Sequence, residues 1–245
     1  MKKYNHFFFD LDGTLWDLYT NTEEALRILF NEFNLPSDPA FFSDFYSKYH
    51  YHNEKVWALY RVGKIEKEVL RTIRFERAFE EAGHPLGAAE IVRFADRFLD
   101  VCPKLPHLLP GAHELLAHAS KNGKLHIITN GFKEVQGFKM EAGNLNQYFD
   151  QMINSEDVGK RKPNPEIFEH ALKKSGAAKE ESIMIGDDWD ADILGARDFG
   201  IDQAFITHTE QMQLKLSGGD RTNQVRHNYS PTFTVNNLSE LIQHF

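Results

Sequence analysis

A short apolar run, His6-Phe7-Phe8-Phe9, stops abruptly at Asp10-Leu11-Asp12-Gly13-Thr14, and the same succession of run and polar turn returns twice. Leu125, Ile127 and Ile128 lead into Thr129-Asn130-Gly131, and Ile183-Met184-Ile185 leads into Gly186-Asp187-Asp188. Runs this brief, bounded by Gly, Asn and Asp, read as buried strands rather than helices. Helical stretches separate them. Pro110-Gly111 opens one that carries Leu115 and Leu116, and a second runs to about Ala142 before Gly143. Asn164-Pro165 caps a third through Leu172 towards Gly176, and residues 190–199 form a fourth before a strand at Ala204-Phe205-Ile206. Repeated strand–helix units predict an α/β protein with a mainly parallel sheet and helices on both faces. Residues 217–232, polar and containing Gly218-Gly219, read as a loop. Phe233-Thr234-Val235 then reads as an edge strand, and Leu238 to Leu241 as a closing helix.

Residues 21–99 break this alternation and contain no convincing strand. Leu26, Leu29, Phe30 and Phe33 recur at 3–4 spacing, and Asn21 with Glu24 reads as the capping box of that helix. Asp38-Pro39 reads as an N-cap followed by proline in the first turn. Ile65, Val69, Leu70, Ile73 and Phe79 mark a further helix stopped by Gly83, and Ile91, Phe94, Phe98 and Leu99 mark another. Four helices bury a small core of their own. The expected organisation is an α/β core of residues 1–16 and 100–245, interrupted after its first strand by a helical domain of residues 17–99.

Composition narrows the function classes. Among 245 residues, 28 Lys and Arg stand against 36 Asp and Glu, a formal charge of −8. That balance supplies no basic field for a nucleic acid polymer or an anionic membrane, yet leaves room for a locally positive site. The single cysteine, Cys102, excludes an intrachain disulfide and a multi-cysteine metal cluster, which fits a reducing, cytoplasmic setting. No stretch approaches the 18 apolar residues of a membrane span. Lys2-Lys3 imitates the start of a signal peptide, but the apolar run behind it is cut off at Asp10. The expected partner is a small molecule, and the expected state a monomer or weak homodimer.

Open α/β sheets take their ligands beyond the carboxyl ends of the strands, which is where all three polar turns fall. Each turn alone reads as an ordinary strand-to-helix connection; their shared position is less expected by chance. Several carboxylates in one mouth repel one another, and a divalent cation relieves this. Oxygen donors without Cys or clustered His favour Mg²⁺ over Zn²⁺. Mg²⁺, a lysine and a threonine together suit a phosphate ester, because they stabilise charge on the transferring phosphoryl oxygens. The basic segment Gly159-Lys160-Arg161-Lys162-Pro163 lies just before a helix and offers that lysine.

Asp10-Leu11-Asp12-Gly13-Thr14-Leu15 resembles the first motif of the haloacid dehalogenase-like (HAD) superfamily. Thr129-Asn130-Gly131, Lys162-Pro163 and Gly186-Asp187-Asp188-Trp189-Asp190-Ala191-Asp192 resemble its second, third and fourth motifs, in the same order. The resemblance covers essentially the whole chain and implies a Rossmann-like parallel-sheet core with an inserted helical (C1-type) cap. It implies that Asp10 is the nucleophile that attacks phosphorus. Asp12 would first be the acid for the leaving oxygen, then the base that activates water against an aspartyl phosphate. Mg²⁺ would be held by the Asp10 carboxylate, the Asp12 main-chain carbonyl and the Asp187 carboxylate. Thr129 and the Asn130 N–H would bind the phosphate, and Lys162 would bridge it to Asp10. Asp188 and Asp192 stand as equal candidates for supporting carboxylates behind the metal.

The chemistry of the residues agrees. A carboxylate is a usable phosphoryl acceptor and splits one hard step into two. In extended chain, Asp10 and Asp12 point the same way, so one attacks while the other handles protons. A halide leaving group needs no proton, so an acid at position 12 favours phosphate over organohalide. Phe41, Phe42, Phe45, Tyr46, Tyr49, Tyr51, Trp57 and Tyr60 crowd one stretch of the insert. Most read as the insert's own core, with one or two left to stack on a flat group. The insert, and the opening Phe9-Asp10-Leu11-Asp12-Gly13-Thr14-Leu15-Trp16-Asp17, resemble the noncanonical pyrimidine 5′-nucleotidases of the superfamily. The implied activity is Mg²⁺-dependent hydrolysis of pyrimidine nucleoside 5′-monophosphates. The competing expectations are a sugar phosphate or phosphoglycolate phosphatase and a β-phosphoglucomutase-like phosphotransferase.

Overall fold

The computed structural model describes residues 3–207 and 229–245. Six strands build one sheet: β1 His6–Phe9, β2 Lys124–Thr129, β3 Phe149–Asn154, β4 Ser182–Gly186, β5 Asp202–Ile206 and β6 Phe233–Val235. Their order is β3-β2-β1-β4-β5-β6, and every neighbouring pair is parallel. The central place of β1 follows from its composition. Phe7 lies between Leu125 and Ile183, Phe9 lies between Ile127 and Ile185, and all four residues of the strand are buried. A strand covered on both faces reads as a continuous apolar run rather than an alternation.

Phe8 belongs to a core formed with Ile128, Ile153 and Met184. Ile167, Phe168 and Leu172 of helix α8 (Pro165–Ser175) and Ala196 of α9 (Gly195–Phe199) cover it. Phe7 points to the other face and meets the ring of Phe245 at 4.9 Å. From β1 the chain builds β2 and β3 on one side, then crosses to place β4, β5 and β6 on the other. That reversal makes the carboxyl end of β1 the switch point where such sheets take ligands.

Two local expectations are corrected, and one strand, β3, was not anticipated. Asn21 does not open a helix, because α1 (Leu18–Glu32) has begun before it and buries it completely. A residue preceded by a helical turn has no open end to cap. Residues 190–199 are not one α-helix: a π-helical turn, Trp189–Leu194, precedes α9. β3 carries no strong strand signal; of Phe149, Asp150, Gln151, Met152, Ile153 and Asn154 only the last two are buried, as an edge position permits. The expected loop at 217–232 lies, up to residue 228, outside the described residues. Among the described residues, no helix is long and apolar enough to cross a membrane.

The described chain divides into two compact units, one of residues 3–19, 106–207 and 229–245, the other of residues 20–105. The second unit holds most of α1, then α2 (Pro39–Arg61), α3 (Lys67–Glu81) and α4 (Ala88–Val101), with no strand. Asp38 caps α2 as its sequence implies, accepting from the Ala40 N–H at 3.0 Å. The core is aromatic. Phe45 and Phe79 have centroids 4.3 Å apart, Tyr49 stacks on Phe75 at 5.1 Å, and Phe75 meets Phe94 edge-on at 5.2 Å. Phe42, Phe45, Tyr49 and Tyr60 are thus interior residues, while Phe41, Tyr46 and Trp57 are half-buried and Tyr51 is exposed.

His50 sits in this core, its ring edge-on to Tyr46 at 4.3 Å. Burial pushes its pKa from 6.5 down to about 4. Between those values the unfolded chain binds the extra proton, so folding stability rises with pH across that window. A shift of that size corresponds to about 3 kcal/mol from this residue at most. Urea unfolding at pH 4.5 and pH 7 is expected to show a larger loss on acidification for the wild type than for His50→Phe. Equal losses would disprove the assignment.

Candidate active site

The site is built on the ends of β1, β2 and β4. After β1 the Asp10 N–H still donates to the Ile185 carbonyl at 2.9 Å, so the chain remains beside β4 for one more residue. It then turns: the Leu15 and Trp16 N–H groups both donate to the Leu11 carbonyl, at 3.0 and 2.9 Å. Gly13 makes the turn possible. Its φ is +84°, and a Cβ there would stand 2.6 Å from Asp187 Oδ2. The Thr14 hydroxyl donates to Asp187 Oδ1 at 2.9 Å, tying the first turn to the end of β4.

Lys162 is fully buried, and its ammonium group has three protein partners: Asp10 Oδ1 at 2.6 Å, Asp192 Oδ1 at 2.7 Å and the Ile128 carbonyl at 2.7 Å. Its backbone is clamped by Asn130, whose Oδ1 accepts from the Lys162 N–H at 2.9 Å while Nδ2 donates to the Lys162 carbonyl at 3.0 Å. The Lys162-Pro163 peptide is cis. Burial opposes a charge on Lys162, but Asp10 and Asp192 overcome it and hold its pKa above the usual lysine range. Burial pushes Asp10 well above the usual carboxylate range; Lys162 pulls it down, while Asp192, Asp187 and Asp12 push it up. Asp192 is likewise pushed up to about 6, first by burial.

The structure separates Asp188 from Asp187 and Asp192 of the same motif. Carboxylate oxygens of Asp10, Asp187 and Asp192 lie within 4.8 Å of one another. Asp188 is not in that group. Its Oδ1 accepts from the Asp190 and Ala191 N–H groups at 3.1 and 3.0 Å and caps the π-helical turn. That turn delivers Asp192, which accepts from the Asp188 N–H at 3.1 Å. Gly186 leaves the room: a Cβ there would stand 2.2 Å from Asp192 Oδ2.

At the end of β2, Thr129 Oγ1 accepts from the Gly131 N–H at 3.0 Å and from Gln136 Nε2 at 2.6 Å. With both lone pairs engaged, its hydrogen is left as a donor. Asn154, the last residue of β3, donates to the Gly131 carbonyl at 2.9 Å and fixes the same turn. Asp12 is held from helix α6 (Lys133–Ala142): Lys139 Nζ reaches Oδ1 at 2.6 Å and Gln136 Nε2 reaches Oδ2 at 2.9 Å. Lys139 also lies over the ring of Trp16 at 4.7 Å. Trp16 itself is completely buried, so its face is not open to a substrate.

Asp10, Asp12, Thr129, Asn130, Lys162, Asp187 and Asp192 therefore gather at one end of the sheet, and Asp188 stands behind them as a cap. Sequence reading missed Thr14, Gln136 and Lys139. A signal for the last two exists. Phe132, Val135, Gln136, Lys139 and Met140 fall at core-facing spacing and are buried, whereas Phe138 is 45% exposed. A lysine and a glutamine therefore occupy positions where an amphipathic helix places apolar residues.

Residues 4–200 match the model of the haloacid dehalogenase-like hydrolase family, and residues 160–241 match a second, HAD-hydrolase-like one. The pyrimidine 5′-nucleotidase YjjG of Escherichia coli K12 is 31% identical over 98% of this chain and 97% of its own. The pyrimidine 5′-nucleotidase PynA of Streptococcus pneumoniae R6 is 31% identical over 81% of this chain and 82% of its own. Among solved structures, the HAD-hydrolase YfnB of Bacillus subtilis, crystallised with magnesium, superposes with a TM-score of 0.82 at 24% identity and covers 99% of both chains. The four motifs, the parallel sheet that presents them and these matches lead to one conclusion: the chain is an enzyme of the haloacid dehalogenase-like hydrolase family.

Proposed function

We propose that the protein is a Mg²⁺-dependent phosphomonoesterase that works through an aspartyl phosphate and prefers pyrimidine nucleoside 5′-monophosphates. The observation that carries the substrate class is the likeness to YjjG over nearly the full length of both chains. An Asp10 oxygen attacks phosphorus as the bond to the leaving oxygen breaks, and Asp12 supplies that oxygen with its proton. Water then attacks the aspartyl phosphate, Asp12 takes its proton, and phosphate leaves with Asp10 regenerated. The Thr129 hydroxyl and the Asn130 N–H receive phosphoryl oxygens. Lys162, which donates to Asp10 and to the Ile128 carbonyl and pairs with Asp192, contributes its charge. Asp188 acts by capping the turn that delivers Asp192.

The donor set suits Mg²⁺. The clustered ligand atoms are all carboxylate oxygens, the hard donors that this cation prefers. Four carboxylates, Asp10, Asp12, Asp187 and Asp192, share the site with two ammonium groups, Lys139 and Lys162. Carboxylates this close repel one another, and a divalent cation relieves that repulsion. Asp10, Asp187 and the Asp12 carbonyl would hold it, while Asp192 orients Lys162. When bound, it stabilises charge on the transferring phosphoryl oxygens. The α/β unit thus carries the phosphate chemistry, and we assign base recognition to the helical domain of residues 17–99. The protein would act in the cytoplasm as a monomer or weak homodimer.

A panel of UMP, dTMP, AMP, glucose 6-phosphate, phosphoglycolate and β-glucose 1-phosphate tests this reading, with phosphate release and isomerised sugar phosphate measured separately. The highest kcat/KM is expected with UMP or dTMP, and loss of all turnover after exhaustive chelation, restored by Mg²⁺. Equal or better values with the sugar phosphates would remove the nucleotidase assignment and leave the phosphatase chemistry. Glucose 6-phosphate formed without phosphate release would move the protein to the mutases. Full activity after chelation would remove the metal.

A further inference from the structure

Both oxygens of the Asp12 carboxylate are held from one face of α6, Oδ1 by Lys139 at 2.6 Å and Oδ2 by Gln136 at 2.9 Å. Lys139 is 7% exposed and Gln136 is completely buried, so neither contact is a solvated surface pair. Lys139 is itself fixed by the indole of Trp16, 4.7 Å from its ammonium group. Gln136 spends its other amide hydrogen on Thr129 Oγ1 at 2.6 Å. Among the described residues Asp12 is the one polar partner they share, and they approach different atoms of it.

We propose that Lys139 is the positioning residue of the acid–base step and that Gln136 couples that step to the phosphate-binding hydroxyl. This rests on the phosphomonoesterase reading of the site. A carboxylate that protonates a leaving oxygen and later deprotonates water must present the same lone pair to the same point in both half-reactions. Each Asp12 oxygen has one acceptor direction occupied by α6, so the remaining directions, and with them the point of proton transfer, are set by Lys139 and Gln136. A misplacement of about 1 Å at such a group costs on the order of 100-fold in rate. Lys139 touches only Asp12 among the groups proposed to act on the substrate, so its effect falls on proton transfer. Gln136 also aims the Thr129 hydroxyl, so its effect extends to phosphate binding.

The test compares phenyl phosphate with p-nitrophenyl phosphate, two esters that differ in the leaving group's need for a proton. p-Nitrophenolate departs unaided; phenolate, the stronger base, is helped by an acid. In Lys139→Met, kcat/KM is expected to fall at least about tenfold more for phenyl phosphate than for p-nitrophenyl phosphate, with KM unchanged. Lys139→Arg is expected to recover part of that difference, since it restores a charged donor. Gln136→Leu is expected to raise KM for both esters. In an Asp12→Asn background, Lys139→Met should add no further discrimination between the two. An equal loss on both esters in Lys139→Met and in the milder Lys139→Gln would overturn the proposal, and so would a discrimination that persists without Asp12. Hydrolysis of neither ester by the wild type would count against the phosphomonoesterase reading itself.

Discussion

Asp10→Asn is expected to leave no measurable turnover while the protein stays folded. The amide lacks the charge and nucleophilicity to accept a phosphoryl group, and loss of a covalent nucleophile costs about 10⁴-fold or more. Folding should survive because the substitution removes a carboxylate that burial and three other carboxylates disfavour. The amide oxygen remains as an acceptor for Lys162. Asp12→Asn serves as the contrast. It keeps the main-chain carbonyl and the nucleophile but loses the acid and base, so it should retain more activity, down about 10²–10⁴-fold. Phosphate release measures the rates, and intact mass spectrometry with a trapping phosphate analogue locates the adduct. An adduct on another residue, or a near-normal rate in Asp10→Asn, would refute the assignment.

Lys162→Met should damage stability as well as rate. The ammonium group stands between two carboxylates that are almost wholly withdrawn from water, with side-chain exposures of 12% for Asp10 and 0% for Asp192. Breaking a buried pair by removing one partner costs about 3–5 kcal/mol, because the other charge is left uncompensated. Loss of a preorganised charge at the phosphoryl group costs a further 10²–10³-fold or so in kcat. The stability loss carries a signature in pH. Asp192 is already pushed up to about 6 from 3.8, so its protonated form favours the folded state and stability falls as pH rises through that range. Without Lys162 the carboxylates rise further. The deficit of Lys162→Met against wild type is therefore expected to be larger at pH 7.5 than at pH 5. Urea unfolding at the two values reads it, and a deficit independent of pH would contradict the paired arrangement.

The elements that place the chemistry were legible in the sequence because their signals are local. Phe7-Phe8-Phe9 is too short and too apolar to be anything but a buried strand, and Asp10 and Gly13 mark its end within four residues. Asp187 follows the same logic at β4 and Thr129 at β2, and the 3–4 spacing of Val69, Leu70 and Ile73 and of Ile91, Phe94 and Phe98 marks two helices of the aromatic unit. β3 was illegible because an edge strand needs few buried side chains, and Asn21 misled because a capping pattern says nothing about whether the chain before it is already helical.

Tertiary structure alone decided which polar groups meet. Asp12 and Lys139 are 127 positions apart, Asp12 and Gln136 are 124, and Asp10 and Lys162 are 152. No local pattern encodes such distances; they arise when six parallel strands stack in register and bring their carboxyl ends to one line. The same packing assigned Asp188 to a helical cap and Asp192 to the buried lysine, although the two stand only four residues apart. It also sealed Trp16 behind Lys139 instead of leaving it for a substrate. Hydrophobic period and turn chemistry set the elements one by one. The partners of each charge were set only when burial made an unpaired one too costly.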